Sequence, residues 1–234
     1  MPAPHPWETS SEQGVIARRF VFCQTLLQEY ENNQLIKTCT ECGGYYALCC
    51  YHRRFTCHHY SLVFTDGACS NNGQHGAVSG IGVATGATPD MQYSIPVTDD
   101  IDPLQSRTNQ RAEMLAALEG VRRSSATPPR HSAVRKHSRE EHKSCIIITT
   151  DSEYVVKGIT EWFPKWKQNN WHTNLGKRPV NLDLFLELDT AISQREEEED
   201  IKIGFWHVLR GFNRVADSLA RDAAARATSL DIRA

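Results

Sequence analysis

Apolar residues near the start of the chain recur at helical spacing, with Phe20, Leu26 and Tyr30 separated by polar residues. This spacing predicts a helix from Val15 to Ile36. The preceding stretch, residues 1–14, carries Pro, Glu and His without a periodic pattern and is predicted to be disordered.

Three stretches in the middle of the chain have the composition of strands separated by turns. The first begins at Tyr60 and runs into the Gly-punctuated turn 66–73, and the next two lie around 80–85 and 92–97. The order strand, turn, strand, turn, strand is typical of an antiparallel meander.

The second half of the chain alternates helical patterns with apolar runs. The β-branched run 145–150 is typical of a fully buried strand, and 201–209 is predicted to be the last strand. Helices are predicted at 107–123, 152–158, 160–167, 181–194 and 213–227. Together these patterns predict an α/β fold with a five-stranded mixed sheet, three antiparallel strands and then two parallel ones, flanked by helices.

Two polar stretches interrupt these patterns. Residues 124–144 are rich in Ser, Pro and basic residues and are predicted to be a flexible insertion, either solvated or adding phosphate affinity. The acidic run 196–200 is predicted to be a solvated loop.

Composition excludes few functions. The chain has 234 residues, 40% of them apolar, with a net charge of -2, so any affinity for nucleic acid must come from a local basic patch. No apolar run approaches the roughly 20 residues of a membrane span, and residues 1–14 do not resemble a secretory signal. A monomer in an intracellular, reducing compartment, nuclear or cytoplasmic, is expected.

Four acids stand where elements begin or end. Asp66 and Asp151 each close a strand, and Glu113 and Asp217 lie one turn into predicted helices. Parallel central strands would bring the two aspartates side by side, and acids held that closely repel one another unless a cation neutralises them. Oxygen ligands select Mg²⁺ or Mn²⁺, and paired ions ~4 Å apart promote phosphodiester hydrolysis.

The segments around these acids resemble single-chain ribonuclease H. The resemblance rests on TDGACSNNG at 65–73, TNQRAE at 108–113, TDSEY at 150–154, the Trp-rich stretch 158–183 that opens with GITEW, and ADSLA at 216–220. It implies a ribonuclease-H-like fold and a Mg²⁺-dependent endonuclease that cuts the RNA strand of RNA–DNA hybrids, with the four acids as metal ligands. It also implies a nuclease domain at 60–228, with 15–59 a separate helical and Cys/His-rich segment and 229–234 a tail.

The resemblance further implies substrate contacts. Asn72, Asn109 and Gln110 match positions that contact the 2′-hydroxyl, which an amide suits because it both donates and accepts. Trp162 and Trp166 match aromatics of a DNA-strand channel, and Thr108 and Asn181 match a phosphate pocket. Ser106 stands where that pocket often has an Arg, and Arg107 is a candidate substitute. The alternative is structural: turn and helix-cap chemistry for the amides, and core packing for the Trp residues.

The resemblance weakens before the last acid. The usual enzyme has a loop with a His there, whereas this chain has no His beyond His207. The segment 208–217 instead resembles a sister branch that reads Val-x-Arg-x-x-Asn-x-x-Ala-Asp, which suggests a phosphate contact for Arg210. A weakly active or inactive hybrid-binding protein is therefore the alternative function, and a zinc-stabilised interaction module is a third.

Six of the eight cysteines lie between Cys23 and Cys57. Clustered Cys with nearby His is typical of a metal site, and tetrahedral Zn²⁺ needs four such ligands. The predicted set is Cys39 and Cys42 with two ligands from a second group. That group contains Cys49, Cys50, His52 and Cys57. The alternative is a buried Cys-rich flap in which the thiols only pack.

Overall fold

The computed structural model describes residues 9–53, 56–124 and 144–231. The strands are β1 (Thr9–Ser10), β2 (Gly14–Ile16), β3 (Arg19–Cys23), β4 (Ile36–Thr38), β5 (Tyr45–Ala47), β6 (Tyr60–Ser70), β7 (Val78–Ala84), β8 (Gln92–Pro96), β9 (Cys145–Thr150) and β10 (Lys202–His207). The α-helices are α1 (Gln24–Glu29), α2 (Asn109–Arg123), α3 (Glu153–Lys157), α4 (Phe163–Gln168), α5 (Leu182–Glu199) and α6 (Arg214–Asp231). A π-helical turn, Gly158–Trp162, joins α3 to α4.

The centre of the sheet has the predicted mixed topology. Strands β6, β7 and β8 pair antiparallel, while β6, β9 and β10 pair parallel. The predicted ribonuclease-H-like α/β fold is thus confirmed. The sheet is wider than predicted because β3 pairs with β10 and β5 pairs with β6, adding N-terminal strands to the five central ones.

The apolar runs become strands because both faces of the sheet are covered. In β9, Ile146 and Ile148 belong to one core cluster, which also contains the buried face of α2 and α5. Ile147 belongs to the other cluster, with aromatic residues of β3 and β10. Successive strand side chains point to opposite faces, so a run without polar residues indicates a strand buried on both sides.

The predicted helix from Val15 to Ile36 is wrong over most of its length. The segment forms a β2–β3 hairpin, the short helix α1 and strand β4. Ala17 and Arg18 form the hairpin turn with φ of 47° and 64°. Two left-handed residues are typical of a type I′ turn, which usually carries Asn or Gly, so the sequence lacked the signal. Arg18 pairs with Asp189 and Glu196 of α5, which anchors the turn.

Other expectations are corrected or lie outside the described residues. The acidic run 196–200 is not a loop, because α5 continues through Glu199. Residues 9–10 and 14 of the stretch predicted to be disordered form strands, and α6 runs into the predicted tail, to Asp231. Residues 1–8, the basic insertion 125–143 and residues 232–234 fall outside the described ranges. Within those ranges, no helix has the length and apolar character that a bilayer crossing requires.

Candidate active site

Strands β6 and β9 bring two of the four acids to one edge of the sheet. Their parallel register ends with the pair Phe64 and Thr149, and Asp66 and Asp151 each follow two residues later. Because the strands run in the same direction, the two aspartates lie toward the same end of the sheet. Asp151 follows the last residue of β9, as predicted, whereas β6 continues through Asp66 to Ser70, so the prediction that Asp66 closes its strand is wrong.

Glycines bring the other two acids close to this edge. A Cβ on Gly67, next to Asp66, would overlap the backbone of Ala112 and Glu113, so α2 packs directly on the strand. Gly82 of β7 is the register partner of Asp66, and a Cβ there would overlap the backbone of Ala216 in α6. The absence of these two side chains lets Glu113 and Asp217 approach Asp66.

Electrostatics shows that the four acids act on one another. Burial raises the pKa of Asp66 to about 7, with further repulsion from Asp151, Asp217 and Glu113. Burial also raises the pKa of Glu113, and Asp151 adds to it, while a hydrogen bond from Ser152 opposes the shift. A cation would relieve both the burial cost and the repulsion, so the donor set fits a divalent metal that prefers oxygen.

Polar side chains hold two of the acids in place. Ser152 Oγ donates to Glu113 Oε2 at 2.6 Å, and Asn213 Nδ2 donates to Asp151 Oδ1 at 2.6 Å. Asn213 also donates to the backbone oxygen of Thr65, tying the last acid's helix to β6. No three of the acids in the described residues have oxygens all within 4.8 Å of one another.

Arginines neutralise Asp217. Arg210 Nη2 lies 2.9 Å from its Oδ1, and Arg221 Nη2 lies 2.5 Å from its Oδ2. The side chain of Arg210 is 77% exposed, so it stands at the mouth of the acidic cluster. Its place beside the acids agrees with the predicted location, while contact with phosphate stays a prediction.

Five of the residues predicted to bind substrate line one open groove. They are Asn72, Thr108, Asn109, Gln110 and Asn181. The Asn72 side chain accepts a hydrogen bond from the backbone of Asn109 at 2.9 Å, and the Thr108 side chain caps α2. Asn72 and Thr108 therefore have the turn and helix-cap roles of the structural alternative. Each uses only one acceptor for this purpose, so most of the amide donors in the groove stay available for a ligand.

Arg111 lines the same groove and was missed by the sequence reasoning, although it lies within the TNQRAE motif. Its guanidinium binds Asp102 at 2.6 Å, Asp183 at 2.9 Å and Asn181 at 3.3 Å. Arg107, the candidate substitute for the Arg missing at Ser106, turns its guanidinium to Asp99 and Asp102. The sequence did contain a signal for this role: Arg111 lies three residues after the N-cap Thr108, so both side chains were expected on the same face of α2, toward the groove.

Trp162 and Trp166 lie together beside this part of the domain. Their ring centroids are 6.2 Å apart, and Trp166 also packs edge-on against Phe185 at 5.3 Å. Both rings are half-buried. Part of each Trp ring therefore packs against the core, which confirms the structural role. The rest of each ring stays accessible to solvent, and contact with a DNA strand is still a prediction.

The Cys/His segment divides its ligands differently from the prediction. Cys39 and Cys42 come together with His58, whereas Cys49, His52 and Cys57 form a separate group. The single four-ligand site predicted from the sequence is therefore not formed, because the chain between Cys42 and Cys49 runs through strand β5 and separates the pairs.

Cys50 belongs to neither group. Its burial, with Cys23 and Cys49 beside it, raises the pKa of Cys50 to about 12. A hydrogen bond from Cys49 lowers the pKa of Cys57 to about 7. The two thiols are therefore expected to titrate together as a coupled pair. Cys69 and Cys145, outside the segment, lie in strands of the nuclease sheet.

Comparison with known proteins identifies the family. The family model for RNase H matches residues 58–225, and the chain belongs to the ribonuclease H family. Members of this family generally use divalent metals, and the Cys/His groups add two further places where a metal could bind.

Two curated relatives agree with this assignment, and one solved structure is similar to the chain. The chain is 34% identical over 167 residues to Ribonuclease H1 of Mus musculus, covering 70% of this chain and 50% of that protein. It is 32% identical over 178 residues to Ribonuclease H of Idiomarina loihiensis, covering 72% of this chain and 90% of that protein. The chain thus spans about half the length of the mouse relative. A foamy viral protease–reverse transcriptase solved with RNA/DNA hybrid superposes with a TM-score of 0.49 at 22% identity, over 71% of this chain and 20% of that one.

Proposed function

We propose that this chain is an endonuclease that hydrolyses the RNA strand of RNA–DNA hybrids, using two Mg²⁺ ions held by Asp66, Glu113, Asp151 and Asp217. The observation that carries the proposal is that elements distant in sequence, β6, β9, α2 and α6, bring these acids together, so that the other three help to raise the pKa of Asp66. Scattered surface acids would titrate independently of one another. Mn²⁺ has similar ligand preferences and is expected to substitute.

The chain's own residues have distinct parts in this reaction. Bound ions supply an activated water and neutralise charge on the leaving oxygen. Ser152 and Asn213 fix the orientations of Glu113 and Asp151 through one hydrogen bond to each carboxylate. Each bond uses one carboxylate oxygen, so the second oxygen can bind a cation. Arg210, exposed beside Asp217, supplies positive charge where a phosphate would approach.

The groove supports the choice of a hybrid as substrate. The amides of Asn72, Asn109 and Gln110 offer donors and acceptors to a 2′-hydroxyl, which distinguishes an RNA strand from DNA. Trp162 and Trp166 offer half-exposed ring faces on which sugars could pack, next to Lys165 and Lys167. These features support the DNA-strand channel expected by resemblance.

The decisive experiment compares the unaltered chain with Asp151→Asn on an end-labelled RNA–DNA hybrid, with Mg²⁺ or with EDTA. We expect Mg²⁺-dependent cleavage of the RNA strand and a loss of at least ~100-fold in Asp151→Asn, because the ions contribute several kcal/mol. Asp90→Asn is the control, since Asp90 is exposed in the turn before β8. Binding of the hybrid without cleavage by the unaltered chain would favour the hybrid-binding alternative.

We further propose that the Cys/His segment holds zinc in a structural role. Thiolates and imidazoles are the ligands that zinc prefers, and these are the donors that the segment gathers.

A further inference from the structure

The Cys/His segment offers donors to two places rather than one. Site A is defined here as Cys39, Cys42 and His58, and site B as Cys49, His52 and Cys57. In each site the donor atoms all lie within 4.8 Å of one another. Cys57 belongs to site B and His58, the next residue, belongs to site A, so the two sites lie next to each other along the chain.

The spacing of the donors fits zinc. With Zn–S near 2.3 Å and Zn–N near 2.0–2.1 Å at tetrahedral angles, a thiolate sulfur and an imidazole nitrogen on one ion lie about 3.6 Å apart. In site B, His52 Nδ1 lies 3.6 Å from Cys49 Sγ and 3.2 Å from Cys57 Sγ. In site A, His58 Nε2 lies 3.9 Å from Cys42 Sγ. These three nitrogen–sulfur pairs are therefore within about 0.4 Å of the separation expected on a bound ion.

Neighbouring groups hold the donors in these orientations. In site A, the ring of Tyr46 stacks on His58 with centroids 4.2 Å apart, and its hydroxyl lies 3.3 Å from Cys42 Sγ. In site B, backbone N–H groups of Tyr51 and His59 are hydrogen-bonded to Cys49 and Cys57. Such supporting contacts orient ligands and are a general feature of protein metal sites.

The two sites sit where the segment joins the nuclease sheet. Near site A, Gly43 accepts a hydrogen bond from Ala87 in the β7–β8 turn. Near site B, the side chain of Gln13 donates to Leu48 O at 2.8 Å and accepts from Cys50 N at 2.9 Å. Tyr60, the first residue of β6, donates to Gln13 O.

We propose that sites A and B each bind one Zn²⁺ ion, and that the two ions fasten the N-terminal strands to the nuclease sheet where β6 begins. Between β4 and β6 the described residues contain only one strand, β5, of three residues. A segment with so little regular structure depends on other interactions for its stability, and metals commonly supply them. Each site gathers three protein ligands among the described residues.

Zinc content per chain tests this proposal. The full chain, purified with reductant, is expected to contain about two zinc ions by elemental analysis. Cys42→Ser and Cys57→Ser are each expected to retain one, because they alter different sites, and both thiols are half-buried rather than fully buried. Cys69→Ser is the matched control, since this half-buried thiol lies in β6 outside both sites, and it should retain two.

Titration of the zinc-free, unaltered chain with Co²⁺ gives a second measurement that needs no variant. Thiolate-to-cobalt absorption should rise to a break at two equivalents. A zinc content near zero or one, or a cobalt break at one equivalent, would overturn the proposal. So would the loss of both ions from either single variant with an unchanged far-UV circular dichroism spectrum. Asp151→Asn should keep both zinc ions, so failure of the nuclease proposal would be seen separately.

Discussion

Replacing Gly82 with alanine is expected to separate the acids of the active site without removing any of them. Gly82 pairs with Asp66 across β6 and β7, and its bare backbone faces Ala216, the neighbour of Asp217 in α6. A Cβ there would stand closer than 3.0 Å to the backbone of both Ala216 and Ala220, where ordinary contact begins at 3.4 Å. The neighbouring atoms are backbone, so the helix itself has to move.

The size of the effect follows from this overlap. Relieving it requires a shift of α6 by roughly 1 Å, and overpacking of this kind costs about 1–3 kcal/mol of unfolding free energy. A displacement of ~1 Å in catalytic geometry costs on the order of 100-fold in rate. We therefore expect Gly82→Ala to lose far more activity than stability at temperatures where it stays folded.

The assay is single-turnover cleavage of a labelled hybrid at saturating Mg²⁺, beside urea unfolding of the same preparations. Gly211→Ala is the matched control, because it lies between β10 and α6 and a Cβ there meets nothing within 4 Å. If Gly82→Ala cleaves at the rate of the control and unfolds at the same urea concentration, the close approach of α6 does not position Asp217.

Three further changes test other parts of the site. Since burial raises the pKa of Asp66 to about 7, its contribution to the stability of the metal-free chain should be complete below the unfolded pKa of ~3.9 and lost as pH rises through 7. Urea titrations should show this loss, and Mg²⁺ should reduce it by binding the ionised form. Arg111→Met should lower the unfolding free energy by about 3 kcal/mol in urea titrations, because it leaves the buried carboxylate of Asp102 without its main partner. Arg210→Ala should weaken hybrid binding, measured by fluorescence anisotropy, and reduce the salt slope by about one.

Each of these expectations has a contrary result. A pH dependence that is unchanged in Asp66→Asn would mean that another group titrates. A loss below ~1 kcal/mol in Arg111→Met would mean that Arg107, which reaches Asp102 at 3.4 Å, already compensates for the charge. Arg226→Ala, on the same helix as Asp217 but bonded to Ser94, is the control for Arg210→Ala, and equal binding by both variants would remove Arg210 from the site.

Local patterns were sufficient for the central sheet. The buried strand β9 was predicted over the residues at which it forms, 145–150, because a short β-branched run is typical of a buried strand. Asp151 was correctly placed at the end of this strand, whereas Asp66 lies inside β6, which continues to Ser70. Their nearness to Glu113 and Asp217 was an inference from motifs, and its geometry depends on Gly67 and Gly82.

Patterns failed where distant parts of the chain decide the outcome. Phe20 has helical spacing with Leu27, yet β3 is a strand because it pairs with β2 in a hairpin and with β10, some 180 residues later. The role of Arg111 was missed because its partners Asp102 and Asp183 come from separate segments. Neither pairing leaves a periodic signal near the residues concerned.

The sequence by itself determined the order of the elements in the nuclease domain, the apolar faces of its strands and the elements that carry the four acids. These features depend on the alternation of side chains along one segment, which is local. The tertiary structure alone decided the N-terminal strands, the Arg111 network and the division of Cys and His between two sites. Those depend on which segments pack together, and the free energy of that packing exceeds local conformational preference.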